Sequence, residues 1–311
     1  MNNEGMISAI LAVHDMGTYV GEAIDSALAQ TRPCCEVLVV DDASQDDTRS
    51  VIDRYRRQVE VMYNDRNLSR PVSVNRALVR AKGDYIALLD ADDVWMPRHV
   101  ELLADMLDRH PEAGMSFCRV DMFGAQSGIW PGGVPECEDG RDLLLDLLRH
   151  NFVIPSACMI RRDIFLSLGG MDPIRVFYKK KLMLVDDYDL FLKIAMKSKI
   201  AGTHEALTRY RIHSGQNSRN RVPLLNAAML QALRLLGKHG KEERLAAIFD
   251  QAVDRVCMQW EENLNIVWMQ RNWRGLGQML AFGLVRKYLG WATLRYLFGA
   301  RLRPALSKWL S

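Results

Sequence analysis

The stretch YIALLDADDVWMP, residues 85–97, runs five mostly apolar residues into Asp90, Asp92 and Asp93 and closes on Trp95 and Pro97. Three carboxylates this close repel one another unless a cation, a proton or water relieves them. A hard divalent cation is one answer, since Asp oxygens suit magnesium or manganese. A solvated loop is the competing reading, because Asp is common where a strand simply ends. Two further acidic groups repeat the theme. Asp41 and Asp42 close the apolar run CEVLVV, and Asp186, Asp187 and Asp189 open the helical pattern VDDYDLFLKIAMK. A carboxylate in such a place can take a proton as a general base. It can also serve a helix N-terminus and nothing else. His213, beside Arg211 in YRIHSGQNS, could join a metal shell, although a lone His is more often a surface or core residue.

The elements that must position these residues alternate. MISAILAV and CEVLVVDD read as short strands, with TYVGEAIDSALAQT at helical spacing between them. DDTRSVIDRYRRQ is an amphipathic helix with acids first and bases last, which suits the helix dipole. VEVMYN, RPVSVNRALVRAKG and DYIALLD continue as strand, helix and strand. This alternation predicts a parallel, doubly wound sheet whose ligands sit beyond the carboxyl ends of the strands, where Asp41 with Asp42 and Asp90 with Asp92 fall. After Pro97 a helix (PRHVELLADMLDRHP) and a strand (AGMSFCRVDMFG) are expected. A Gly- and Pro-rich loop over residues 124–140 follows, then a helix in GRDLLLDLLRH and a strand passing to helix in FVIPSACMIRRDIF. Beyond about residue 222 the periodicity is mostly helical.

At 311 residues, 49% apolar and 25% charged, the chain has the profile of a folded protein with one large or two ordinary domains. Cys34, Cys35, Cys118, Cys137, Cys158 and Cys257 form no C-x-x-C pair. Their spacing suggests reduced thiols in a cytoplasmic compartment rather than a zinc site or a secreted scaffold. The first residues lack a basic region like that of a signal peptide, and no run of about 18 apolar residues occurs. The net charge of +3 is uneven, because residues 271–311 carry eight basic and no acidic residues, leaving −5 for residues 1–270.

Six motifs in order, SALAQT, VLVVDDASQDDT, AKGDYIALLDADD, LGGMD, DDYDLFLKIA and YRIHSGQNS, make residues 7–218 resemble the family 2 glycosyltransferases. The resemblance implies the GT-A fold, a Rossmann-like doubly wound mixed sheet that binds nucleotide-diphospho-sugars, here over residues 1–220, with a helical C-terminal extension over 221–311. It implies Mn2+ or Mg2+ as cofactor, with Asp92 and His213 as metal ligands and Asp90 on the ribose or the metal shell. Asp93 is then the extra acid, capping the next turn. The resemblance places Ala12, Val13 and His14 against the base, Asp42 on the base's N–H, and Arg70 and Asn75 on the donor side. The family often has Tyr-Asn where this chain has His14 and Asp15, and Val74 stands where an Arg usually precedes the Asn.

By the same resemblance Asp187 is the general base, and Asp186, in place of the usual Glu, contacts the acceptor. Gly169, Gly170 and Met171 form an acceptor-side turn with Asp172 on a sugar hydroxyl. Lys179, Lys180 and Lys181 lie where the family carries an acceptor lid; an exposed charged loop is the equal alternative. The implied activity is inverting transfer from a nucleotide-sugar donor, UDP-sugar favoured, to a saccharide or lipid-linked acceptor in polysaccharide or glycolipid synthesis. A nucleotidyltransferase would want a Gly-rich, Lys-containing loop after the first strand, which LAVHDMGTYVG lacks. A sugar-nucleotide-binding or scaffold protein without turnover is the rival from another class.

The C-terminal residues carry Trp268, Trp273, Tyr288, Trp291, Tyr296 and Trp309 among their bases. Aromatics among cations suit a helix lying on anionic lipid, which predicts a peripheral place on the inner face of the cytoplasmic membrane. No single groove suggests nucleic acid. A helical cap packed on the catalytic domain is the alternative.

Overall fold

The computed structural model describes residues 5–130, 140, 142–173, 175–178 and 181–215, with isolated positions between 231 and 256. The expectations for residues 257–311, and for Lys179 and Lys180, lie outside the described residues. The chain divides into two compact units: Met1–Leu143 with Phe152–Ile174 and Asp186–Gln216, and Leu144–Asn151 with Arg175–Val185 and Asn217–Ser311.

The first unit begins as the alternation predicts: β1 (Ile7–Val13), α1 (Val20–Leu28), β2 (Glu36–Asp41), α2 (Thr48–Asp53), β3 (Glu60–Tyr63), α3 (Arg70–Arg80) and β4 (Tyr85–Leu88). These four strands are parallel, in the order β3-β2-β1-β4. Covered on both faces, β1 and β2 are near-continuous apolar runs, and Ile10, Leu11, Leu38, Val39 and Val40 are fully buried. Helix α1 turns Val20, Ala23, Ile24 and Ala27 inward at helical spacing. Helix α2 ends before the bases expected in its last turn: Arg54, Tyr55 and Arg56 close three-residue turns instead, and Arg56 Nε is tied to Asp53 at 2.7 Å.

The second half departs from a purely parallel sheet. It continues with β5 (Val94–Trp95), α4 (His99–Arg109), β6 (Ala113–Gly124) and β7 (Gly128–Ile129), and then α5 (Leu144–Arg149), which belongs to the second unit. A single 3-10 turn, Pro155–Ala157, leads into β8 (Cys158–Arg161), which runs antiparallel to both β4 and β6 and is followed by α6 (Arg162–Ser167). The second unit also holds β9 (Arg175–Tyr178) and β10 (Lys181–Leu184), which pair as a hairpin. Lys181 therefore starts a strand where a loop was expected. Helix α7 (Asp186–Lys197) precedes β11 (Lys199–Ile212), a 14-residue strand parallel to β6 that the sequence reading did not include. Register shifts around Ala206 break the alternation of β11, and two consecutive residues within it, His204 and Glu205, are exposed. The mixed sheet is completed by β5 on β11, antiparallel through Trp95 and Thr208.

Candidate active site

The candidate site residues lie in the first unit, most of them at the ends of strands or the starts of helices. Asp90, Asp92 and Asp93 follow β4, Arg70 begins α3, Asp186 and Asp187 begin α7, and His213 lies one residue beyond β11. Asp92 and His213, 121 positions apart, meet with Oδ2 and Nε2 separated by 2.9 Å. Burial, and next the charge of Asp90, push the Asp92 carboxyl above its ordinary value. A cation bound there would offset both effects.

Arg70 reaches both acidic groups. Its Nε and Nη2 lie 2.9 and 2.8 Å from Asp90 Oδ1, and its Nη1 lies 3.2 Å from Asp186 Oδ2. Burial opposes the guanidinium charge, but Asp90, Asp186 and Asp187 outweigh it and hold Arg70 protonated. Arg70, expected on the donor diphosphate, is here the bridge between the acids. Burial, then the neighbouring Asp186, push Asp187 up to about 6, while Arg70 pulls the other way. Burial also raises Asp186, against the pull of Arg70. A carboxyl poised near 6 is suited to accept a proton at neutral pH.

Four of the expected residues make contacts within the protein that the sequence did not suggest. Asp42, expected to read a base, is buried and already accepts from Asn64 Nδ2 at 2.7 Å, Leu68 N at 2.8 Å and Ser69 N at 2.9 Å. It fixes the 64–69 loop, because an ionised carboxylate placed among N–H groups is their strongest acceptor. Asn75, expected with the donor residues, instead holds the LGGMD turn, its Oδ1 accepting from Met171 N and its Nδ2 donating to Met171 O, both at 2.8 Å. Met171, expected to face an acceptor, is 1% exposed, so its side chain is core. Asp93, expected to cap a turn with its side chain, is buried and accepts from Ser156 Oγ at 2.6 Å and Arg211 N at 3.0 Å.

The remaining candidates are placed as follows. Gly170 has φ +84, and a Cβ there would sit 2.2 Å from Asn75 Oδ1. Asp172 is exposed and pairs with Lys193 at 2.5 Å. Ala12 is half-buried near the end of β1, and His14 Nδ1 lies 2.9 Å from the Asp42 carbonyl oxygen. Among the described residues no group of three or more His, Cys, Asp or Glu side chains could hold a metal alone. Asp92 and His213 fit a divalent cation as a pair, leaving further coordination positions to oxygens of a diphosphate. Ser156, Asn64 and Glu22, which hold Asp93, Asp42 and Arg211, were not picked out in the sequence, and their surroundings carry no motif that could have done so.

A mixed sheet with paired acids beyond its strand ends is the architecture of the GT-A fold. Solved structures with that architecture overlay the chain: Staphylococcus aureus TarS residues 1–349 in complex with UDP-GlcNAc, with TM-score 0.62 and 16% identity, covers 97% of this chain and 92% of that one. The mannosyltransferase PcManGT from Pyrobaculum calidifontis, in complex with GDP-Man and Mn2+, gives TM-score 0.59 and 16% identity over 98% and 88%. Residues 8–169 match the model of Glycosyl transferase family 2, and the chain belongs to that family. An uncharacterised glycosyltransferase of Rickettsia prowazekii is 28% identical over 217 residues, a match spanning 68% of this chain and 66% of that protein.

Proposed function

We propose that the protein transfers a sugar from a nucleotide-diphospho-sugar, UDP-sugar favoured, to a hydroxyl of a saccharide or lipid-linked acceptor, with inversion. The observation that carries this reading is Arg70, bound at once to Asp90 of the D-x-D and to Asp186 beside Asp187. One guanidinium thus ties the donor-side Asp90 to Asp186, the neighbour in sequence of the candidate base, so that donor-side and acceptor-side acids lie on either side of one cation. Asp92 and His213 would hold Mn2+ or Mg2+ with the donor. When bound, that cation would neutralise charge on the departing nucleoside diphosphate. Asp187 accepts the proton of the acceptor hydroxyl as it attacks C1, and Arg70 holds the acids on the two sides of the site in place. Support comes from family membership and from the donors bound in the two structures of like fold.

Calorimetry with UDP, with and without Mn2+, and a hydrolysis screen of nucleotide sugars test the reading. The expected result is metal-enhanced binding of UDP that Asp92→Ala abolishes, with slow hydrolysis of one donor. Equal affinity for UDP with and without Mn2+ in the unaltered protein would overturn the metal part. Absence of turnover with every donor and acceptor would leave only binding.

A further inference from the structure

Ser156 lies under the D-x-D loop, in the 3-10 turn before β8, with no surface exposed. Its hydroxyl has one hydrogen to give, and Asp93 Oδ2 takes it at 2.6 Å. Ser156 Oγ in turn accepts from Asp90 N at 3.0 Å, so both ends of the four-residue acidic turn rest on one atom. The Ser156 carbonyl oxygen accepts from Trp95 Nε1 at 2.7 Å and Thr208 Oγ1 at 3.0 Å, which fixes the serine to β5 and β11. The other Asp93 oxygen accepts from Arg211 N at 3.0 Å, two residues before His213. Arg211 then returns to the turn: its Nε donates to Asp92 O at 2.7 Å, while its guanidinium lies 4.2 Å from the Phe123 ring and 4.8 Å from the Tyr19 ring.

Asp92 and His213 are thus each within two residues of a fixed atom of one network, and they come from segments that no local periodicity relates. We infer that Ser156 and Asp93 are positioning residues for the Asp92–His213 pair, a clip that holds carboxylate and imidazole at the spacing a shared cation requires. The inference rests on the metal reading of the proposed function and adds the groups that make the pair competent. Removing the Ser156 hydroxyl would leave the half-buried Asp90 N–H and the buried Asp93 Oδ2 without that partner, and the turn would relax to satisfy them elsewhere. Outer groups that orient metal ligands are worth about 10- to 100-fold in metal affinity.

The test uses the full chain and its Ser156→Ala and Asp93→Asn variants. UDP, with GDP in a parallel arm, is titrated by calorimetry with and without Mn2+, and melting temperature is recorded beside it. The expected result is a metal-free nucleotide affinity unchanged in both variants, with the enhancement by Mn2+ reduced about tenfold or more. Ser156→Thr, which keeps the hydroxyl, should recover most of it. If the Mn2+ enhancement survives intact in both variants, the clip does not position the pair. A fall of metal-free and metal-dependent affinity together, in step with melting temperature, would make the network general scaffolding and overturn the inference. If the unaltered protein shows no Mn2+ enhancement with either nucleotide, the metal reading itself fails and takes this role with it; that result is distinct, because it appears before any variant is made.

Discussion

Asp187 is the residue whose chemistry the surroundings change most usefully. Burial and Asp186 raise its carboxyl to about 6, and only the ionised form can take a proton from an acceptor. Activity should therefore be full above that value and fall as pH drops through it, giving an acidic limb near 6 in kcat/KM. The limb reports Asp187 in the field of Asp186, whose negative charge is, after burial, the next cause of its raised value. Asp187→Asn should keep nucleotide binding and lower kcat about 10²-fold or more, the usual scale for a lost general base. Asp186→Asn should move the limb to lower pH, because it removes the neighbouring negative charge that raises Asp187. A steady-state pH profile of the three proteins checks both statements. Near-normal turnover in Asp187→Asn with a collapse in Asp186→Asn would move the base by one residue.

Among the elements, the LGGMD turn makes the sharpest claim. Gly169 and Gly170 both have positive φ, +80 and +84, so alanine at either meets backbone strain of about 1–2 kcal/mol. They differ in space. A Cβ at Gly169 meets nothing within 4 Å, whereas one at Gly170 would collide with the Asn75 amide at 2.2 Å. Asn75 holds Met171 by two hydrogen bonds, so Gly170→Ala should also loosen the turn from α3. Denaturant unfolding should show Gly170→Ala to be the more destabilising by about 1 kcal/mol or more, with Gly169→Ala limited to the strain alone. Equal losses in the two variants would mean that the Asn75 contact does not hold the turn. The sequence shows both glycines, but not which of them faces another element.

For the molecule as a whole, the open matter is what the basic C-terminal residues do. No helix among the described residues is long and apolar enough to cross a membrane. We propose that residues 271–311, with eight basic and no acidic side chains, attach the protein to an anionic surface. Each basic residue near such a surface adds about 1 kcal/mol, so binding should weaken as salt rises. Liposome flotation of the full chain and of a variant ending at Glu262, with and without anionic lipid, measures this. The full chain should float with anionic vesicles at low salt and the shortened one should not, while both retain UDP binding. Equal flotation, or loss of folding on shortening, would identify these residues as a packed cap.

The alternation of apolar runs and amphipathic stretches determined β1 to β4 and the helices between them. It also set acids at the ends of β2 and β4, because a strand buried on both faces must be apolar and its polar residues collect where it emerges. That is local information, carried by spacing within about 15 residues. What each acid touches was decided elsewhere. Asp42, expected on a nucleotide base, and Asp93, expected as the cap of the next turn, are both buried, one tied to the 64–69 loop and the other to Ser156 and Arg211. The long strand β11 escaped the pattern because its register shifts interrupt the period-two signal that marks a strand. Its position beside β6 and β5 is nevertheless what carries His213 to Asp92, and the bridging of Asp90 to Asp186 by Arg70 likewise joins residues far apart along the chain. Such meetings follow from strand order and register across the whole sheet, and a buried carboxylate takes whichever donors that packing brings within about 3 Å.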